Sequence, residues 1–393
     1  VQTFDAIIIG AGAAGLYAAL HAGRRGRRVL VLEHNAEPGA KIIISGGGRC
    51  NFTNINGGDH TRYLSGNPHF ARSALSRHTP ADFIKLIERH NIAYYEKTLG
   101  QLFCEGARAA HKIVQMLLDE CASAKVTLHF GARVTEISKA ERFRVETSAG
   151  LFGSETLTIA TGGLSIPKLG ATSFAYDIAK QFNVPLTAPR PGLVPLTFSD
   201  ADLAWMRPLS GISADVSVRA ATGPAFREAA LFTHRGLSGP AILQASSYWR
   251  PGQEISIDWL PDADEQAFVA IKRARPKAHI KAALAERLSD RLATALSENL
   301  PPEMLGDLKD ATLIDAARAL KNFKLKPAGD EGYLKAEVTL GGVDTNALSQ
   351  QTMETRAAPG LFFVGEAVDV TGWLGGYNFQ WAWSSGWAAG QAI

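Results

Sequence analysis

An apolar run, Phe4-Asp-Ala-Ile-Ile-Ile9, meets Gly10-Ala-Gly12-Ala13-Ala-Gly15 and then an alanine-rich stretch that reaches Ala22. A short apolar run closed by glycine reads as a buried strand, and the stretch from Ala13 reads as a helix packed on it. A second run, Arg28–Leu32, completes a β-α-β unit. Gly10 permits the tight turn, Gly12 lets backbone approach a pyrophosphate, and Gly15 allows helix and strand to pack closely. The helix start at Ala13 offers amide donors and a partial positive charge to phosphates. Glu33 ends the second strand, 23 residues after Gly10, where a carboxylate can accept from ribose hydroxyls. The pattern points to a dinucleotide and does not separate NAD from FAD.

Composition narrows the classes. A chain of 393 residues with 46% hydrophobic and 20% charged residues is globular, and its length favours two or three domains. A net charge of +3 makes no global case for nucleic acid. Cys50, Cys104 and Cys121 contain no C-x-x-C pair, so a disulfide framework or zinc site is not expected and a cytoplasmic location fits. No ligand-spaced His, Cys or Asp group suggests a metal, and no G-x-S-x-G suggests a serine hydrolase. Val370 to Ile393 lacks charge, but its glycines, Asn378, Gln380 and Ser384 argue for a buried functional segment and against a membrane span.

Texture changes along the chain. Residues 33–60 are glycine-rich and read as loop, and helical periodicity follows at 80–90 and 109–123. From about Pro189 alternating stretches predict antiparallel strands, and from Asp264 to Lys321 the pattern is helical. There Ile280, Leu284, Leu288, Leu292 and Leu296 fall four apart, which predicts one packed helix face. The end returns to α/β. These shifts predict three parts: residues 1–188 with 338–393, 189–262 with 322–337, and an insert at 263–321.

Two further glycine clusters carry chemistry. Ser45-Gly46-Gly47-Gly48-Arg49-Cys50-Asn51 suits backbone lying against something flat or phosphorylated. Cys50 reads either as a thiol activated by Arg49 or as a small residue packed beneath a cofactor. Near the end, Gly365-Glu366, Asp369 and Gly375-Gly376-Tyr377-Asn378-Phe379 fit a flavin's ribityl chain and ring. A helix starting near Asn378 would aim amides at the pyrimidine edge, where a reduced flavin gathers negative charge. Thr161-Gly162-Gly163 adds another close-approach turn. His234, in Phe232-Thr-His-Arg-Gly-Leu-Ser-Gly-Pro240, is either a substrate contact or a solvated turn residue. Arg24, Arg25, Arg27 and Arg28 read as a solvated corner, and seven basic residues between Lys272 and Arg291 leave an RNA-facing surface open.

Together, GAGAAG (10–15), SGGGRCN (45–51), ATGG (160–163), FTHRGLSGPAIL (232–243), TLGGV (339–343) and GLFFVGEAVDVTGWLGGYNFQWAWSSG (360–386) resemble the BaiN/RdsA-type flavoproteins, also called aminoacetone oxidase family FAD-binding enzymes. The resemblance implies an α/β, glutathione-reductase-like FAD domain interrupted by a β-rich domain with a helical insert. It implies FAD contacts at Gly10, Gly12, Gly15, Glu33, Lys41, Gly46 to Asn51, Thr161 to Gly163, Glu366 and Asn378, with adenine near Val134. It implies an FAD-dependent oxidoreductase passing a hydride through flavin N5, with NAD(P)H as a transient donor. Family activities cover conjugated C=C reduction, amine oxidation and reduction of a uracil in ribosomal RNA. The near-neutral charge favours a small-molecule substrate, and the basic stretch keeps RNA open. His234, Tyr377, Arg49 and Cys50 are the candidate catalytic groups. Phe103-Cys104-Glu105-Gly106 and Ser173-Phe174-Ala175 depart from the family pattern at places that would flank a substrate cleft. A non-catalytic flavin-binding module that docks a partner is the rival expectation.

Overall fold

The computed structural model describes every residue, Val1–Ile393. Its contacts divide the chain into two compact units, Val1–Arg190 with Val338–Ile393, and Pro191–Glu337.

In the first unit the Gln2–Ile9 strand runs parallel to Val29–Leu32 on one side and to Gly150–Ile159 on the other. Thr127–His129 extends the sheet beyond Val29–Leu32, and Leu361–Phe363 pairs parallel with the end of Gly150–Ile159. The beginning of that ten-residue strand instead turns antiparallel against Phe143–Thr147, which pairs in turn with Val134–Lys139. The inner strands are buried on both faces, so Ile7-Ile8-Ile9 is a continuous apolar run with no alternation.

Register decides what lies at the sheet's edge. Ile9 is opposite both Leu32 and Ile159, and Ile159 is opposite Phe363. The residues that follow, Gly10, Glu33, Ala160 and Val364, therefore emerge along one line at the carboxyl ends of parallel strands, where α/β sheets bind ligands. The helix Ala13–Arg24 covers the sheet and packs on the C-terminal helix Tyr377–Ala392 through small residues. A side-chain carbon on Gly386 or Gly390 would lie 2.5 Å from Ala14 O or 2.7 Å from Ala18 O.

The second unit is a seven-stranded sheet in the order Phe323–Leu325, Ile255–Asp258, Ser213–Ala220, Phe226–Thr233, Gly236–Ser238, Leu196–Thr197, Gly329–Asp330. All six neighbouring pairs in it are antiparallel. Phe232 and Trp259 stack in its core with ring centroids 5.8 Å apart. Helices Ala267–Ala274, Ile280–Ala285, Asp290–Ser297 and Asp310–Lys321 belong to this unit.

Three local expectations change. Residues 33–60 are not all loop: Ala40–Gly48 starts as a helix and Asn51–Asn54 is a strand. The helical start breaks at Ser45, whose ψ is 147°, and Gly46 and Gly47 then take positive φ. The leucine stripe is buried throughout, but one helix ends at Ala285 and another starts at Asp290, so two short helices and the turn at Leu288 share it. The arginine corner is more than solvated. Arg25 Nη1 donates to Ile393 O at 2.6 Å and Arg27 Nε to the same oxygen at 3.2 Å, matching cations to the carboxyl end of the C-terminal helix. No helix is long and apolar enough to cross a membrane.

Candidate functional site

The three glycines of the first turn divide by what surrounds them. A side-chain carbon on Gly10 would sit 2.5 Å from Ala160 O, and one on Gly15 would sit 1.9 Å from Gly10 O. These two allow the strand, turn and helix to close on one another. One on Gly12 would meet nothing within 4 Å. Gly12 caps the helix without a side chain, so the amides that follow it, Ala13 among them, face the space it leaves.

Gly47 and Gly162 likewise face open space. Beside Gly162, Thr161 Oγ1 is buried with no hydrogen-bond partner. An unsatisfied buried hydroxyl costs about 1–3 kcal/mol, which a ligand hydrogen bond at this point would relieve. Glu33 is buried, its Oε2 accepting from Ala11 N at 2.8 Å and its Oε1 from Asn35 N at 2.9 Å. Each oxygen keeps acceptor capacity for a hydroxyl. Ala132 N donates to Glu33 O at 2.8 Å, which brings the start of the Val134–Lys139 strand to this end of the sheet. Space at Gly12, a free hydroxyl at Thr161 and a half-used carboxylate at Glu33 fit the phosphates and hydroxyls of a dinucleotide.

Lys41 and Glu366 meet each other. Lys41 Nζ donates to Glu366 Oε2 and to Ser165 Oγ, each at 2.7 Å. Glu366 Oε1 accepts from Ser165 Oγ at 2.9 Å and from Thr339 N at 2.9 Å. Thr339 Oγ1 accepts from the amides of Leu164 and Ser165. Gly163 must be glycine here, since a carbon on it would lie 2.4 Å from Thr339 Oγ1. Ser165 and Thr339 escaped the sequence reading, although Thr339 opens the TLGGV string and Ser165 follows ATGG closely.

The C-terminal loop is shaped by its own contacts. Gly376 has φ 95°, and a carbon there would lie 2.3 Å from Thr53 O. Asn51, with its amide turned, accepts from Gly376 N and donates to Thr53 O and Leu102 O, each at 3.1 Å. The Asn378 side chain folds back, accepting from Gly372 N and donating to Gly372 O, both at 2.9 Å. What it leaves outward is the helix start, where the amides of Tyr377, Asn378 and Phe379 have no acceptor within the helix. Gly365 N donates to Ser385 Oγ at 3.0 Å. Asp369 is buried and accepts from Gly66 N at 2.9 Å and Thr187 Oγ1 at 3.0 Å, so it ties loops together. Burial raises its pKa.

The candidate catalytic groups differ sharply. Cys50 is fully buried and burial pushes its thiol up to about 12, so it is not a thiolate at neutral pH. Arg49 points away from that role: exposed, it donates to Tyr95 OH at 3.3 Å and lies over the Phe103 ring. Tyr377 OH accepts from Arg62 Nη1 at 2.5 Å, and burial raises the phenol's pKa. Arg62 also stacks over Trp373 and had no signal in the sequence. His234 is exposed in the turn after Phe226–Thr233, in the second unit. No three His, Cys, Asp or Glu side chains gather closely enough to hold a metal ion.

Comparison with known proteins agrees with this edge. The family described as "HI0933-like protein Rossmann domain" matches residues 4–392. A ribosomal RNA dihydrouridine synthase of Escherichia coli K12 is 50% identical over 100% of this chain and 98% of its own. One of Haemophilus influenzae is 42% identical over 100% and 99%. A 3-dehydro-bile acid delta(4,6)-reductase of Clostridium scindens is 29% identical over 98% of each. Among solved structures, a 3-ketosteroid dehydrogenase of Rhodococcus jostii has a TM-score of 0.50 at 13% identity, covering 99% of this chain and 97% of that one, which speaks for the fold alone. The full-length match and the sheet edge agree: the chain belongs to the HI0933-like family of Rossmann-fold, FAD-binding oxidoreductases.

Proposed function

We propose that this enzyme reduces the C5=C6 bond of a uracil in ribosomal RNA, with FAD as its hydride carrier and NAD(P)H as a transient reductant. The observation that carries the reading is full-length identity of 50% and 42% to two proteins named for that product, against 29% to the bile-acid reductase. In this reading residues 1–188 with 338–393 form the FAD domain, 189–262 with 322–337 the β domain, and 263–321 the helical insert.

Bound along the strand ends, FAD would supply a hydride to an electron-poor C=C bond. The chain's part is to hold and polarise. The amides from Gly12 onward would take the pyrophosphate, and Glu33 would take ribose hydroxyls. Lys41, held by Glu366 and Ser165, is a fixed cation beside the Gly163 turn. The Tyr377–Phe379 amides at the positive end of a 16-residue helix would favour the anionic reduced state of a flavin whose pyrimidine edge they met. Saturating C5=C6 takes one hydride and one proton. Tyr377 suits the proton: its oxygen accepts from Arg62, which leaves its own hydroxyl proton uncommitted, and its raised pKa keeps that proton bound at neutral pH.

The test is anaerobic. Purified protein with FAD and NADH or NADPH is mixed with ribosomal RNA transcribed without modifications, and digested nucleosides are weighed. RNA-dependent oxidation of the nicotinamide with appearance of dihydrouridine is expected. A reduced flavin that is reoxidised by a small enone, or by oxygen alone, and never yields dihydrouridine would overturn the substrate.

A further inference from the structure

Charge is unevenly placed. Between Lys272 and Arg291 seven Lys and Arg stand against two acidic residues, an excess of five, whereas the whole chain's excess is three. Without this segment the protein would be slightly acidic. The structure separates these seven by what they touch. Lys272 Nζ donates to Asp310 Oδ1 at 2.8 Å and to Leu308 O at 2.6 Å, and Arg275 pairs with Glu286. Arg273, Lys277, Lys281, Arg287 and Arg291 are exposed and make no ion pair. Asp290, adjacent to Arg291 in sequence, pairs with neither it nor Arg287.

The same segment turns its apolar residues inward. Ile280, Leu284, Leu288, Leu292 and Leu296 are all buried. Outward, Lys281 lies on Ile280–Ala285 and Arg291 beside exposed Asp290 on Asp290–Ser297, Arg273 lies on Ala267–Ala274, and Lys277 and Arg287 lie in the turns, Arg287 next to exposed Glu286. Arg273 also acts on Asp310, whereas Lys277, Lys281, Arg287 and Arg291 have no ion-pair partner, and a polyanion would supply the missing counter-charge.

We propose that Arg273, Lys277, Lys281, Arg287 and Arg291 form a docking surface for the phosphate backbone of structured RNA, resting on the ribosomal RNA reading above. The surface supplies affinity without reading sequence, since it offers ammonium and guanidinium groups that suit phosphates. Choice of the target uracil is then left to the cofactor-bearing unit.

The test uses the FAD-loaded protein and the variant Lys277→Gln/Lys281→Gln/Arg287→Gln, at sites that bear no ion pair. Binding of a fluorescein-labelled ribosomal RNA hairpin is followed by anisotropy across a salt series. Losing three phosphate contacts should lower the slope of log affinity against log salt by about 2–3 and weaken binding roughly a hundredfold near physiological salt. Flavin reduction by NAD(P)H and thermal unfolding should match the parent. An unchanged slope and affinity would overturn the proposal, as would equal competition by phosphatidylserine vesicles, which would make this a membrane face. A parent that binds RNA through these residues yet forms no dihydrouridine would support the docking surface while removing the catalytic reading.

Discussion

Gly12→Ala and Gly15→Ala are the same chemical change three residues apart, and the structure assigns them opposite consequences. Gly15 lies inside the Ala13–Arg24 helix, where propensity alone would have alanine stabilise by about 1 kcal/mol. Its new carbon, however, would sit 1.9 Å from Gly10 O and 3.1 Å from Ala160 Cβ. The obstacle is backbone, so the helix must retreat from the turn, and overpacking of this kind costs about 1–3 kcal/mol or more. A net loss of about 1–2 kcal/mol lowers the melting temperature by roughly 5 °C in a unit of this size. Gly12 has φ −84° and ψ −170°, which alanine adopts freely, and no atom within 4 Å of the added carbon. A weaker helix cap costs up to about 1 kcal/mol and a less flexible unfolded chain returns a similar amount. The apoprotein should therefore melt within about 2 °C of the parent. FAD should bind about ten- to a hundredfold more weakly, the effect of losing one amide bond to a charged phosphate. Melting curves of the apoproteins and flavin-fluorescence titrations read both quantities. If Gly12→Ala melted as early as Gly15→Ala, or bound FAD like the parent, the division of labour argued here would be wrong.

Other outcomes follow from the same contacts. Glu33→Ala should weaken FAD and also destabilise the apoprotein by about 1–3 kcal/mol, because it strands the Ala11 amide; unchanged apoprotein melting would refute the second half. His78, bonded to Tyr17 OH at 2.8 Å, and His21, whose Nε2 is buried without a partner, have pKa values depressed by burial to about 4 and about 3. Both are neutral in the fold while the unfolded chain takes up protons near pH 6.5, so stability is full above that pH and declines as pH falls toward the folded values. The slope should approach about 1.4 kcal/mol per pH unit for each histidine. Urea unfolding between pH 4.5 and 7 measures it, and His21→Phe should roughly halve it. Burial raises the pKa of all three cysteines, so native protein should resist iodoacetamide while unfolded protein reacts fully; rapid labelling of Cys50 in the native state would reopen a role for its thiol.

What the sequence makes legible here is where backbone must bend or come close, because only glycine tolerates that and a string of glycines between strand and helix has few explanations. Gly10, Gly12 and Gly15 have separate tasks that the sequence alone makes plain, since turn, approach and packing succeed each other in a fixed local order. Partners are another matter. Lys41 and Glu366 are 325 residues apart, and nothing local in either says that they share Ser165. Asn378 and Asp369 have residue types suited to a ligand, yet both spend their side chains on Gly372 and on Gly66 with Thr187. A polar side chain in a glycine-rich motif is needed twice over, once by the loop that has to hold an unusual backbone shape and once by what the loop surrounds. Pattern alone cannot apportion it. The leucine stripe failed for a related reason: spacing of four persists through Leu288, but the first helix stops at Ala285, Ser289 takes extended backbone at the N-cap position of the next, and Leu288 is carried by the turn between them. For this fold the backbone tasks of the cradle are therefore local and readable. Which polar atoms stay free for the cofactor is a property of long-range register, settled by Ile9, Leu32, Ile159 and Phe363 lining up across four strands.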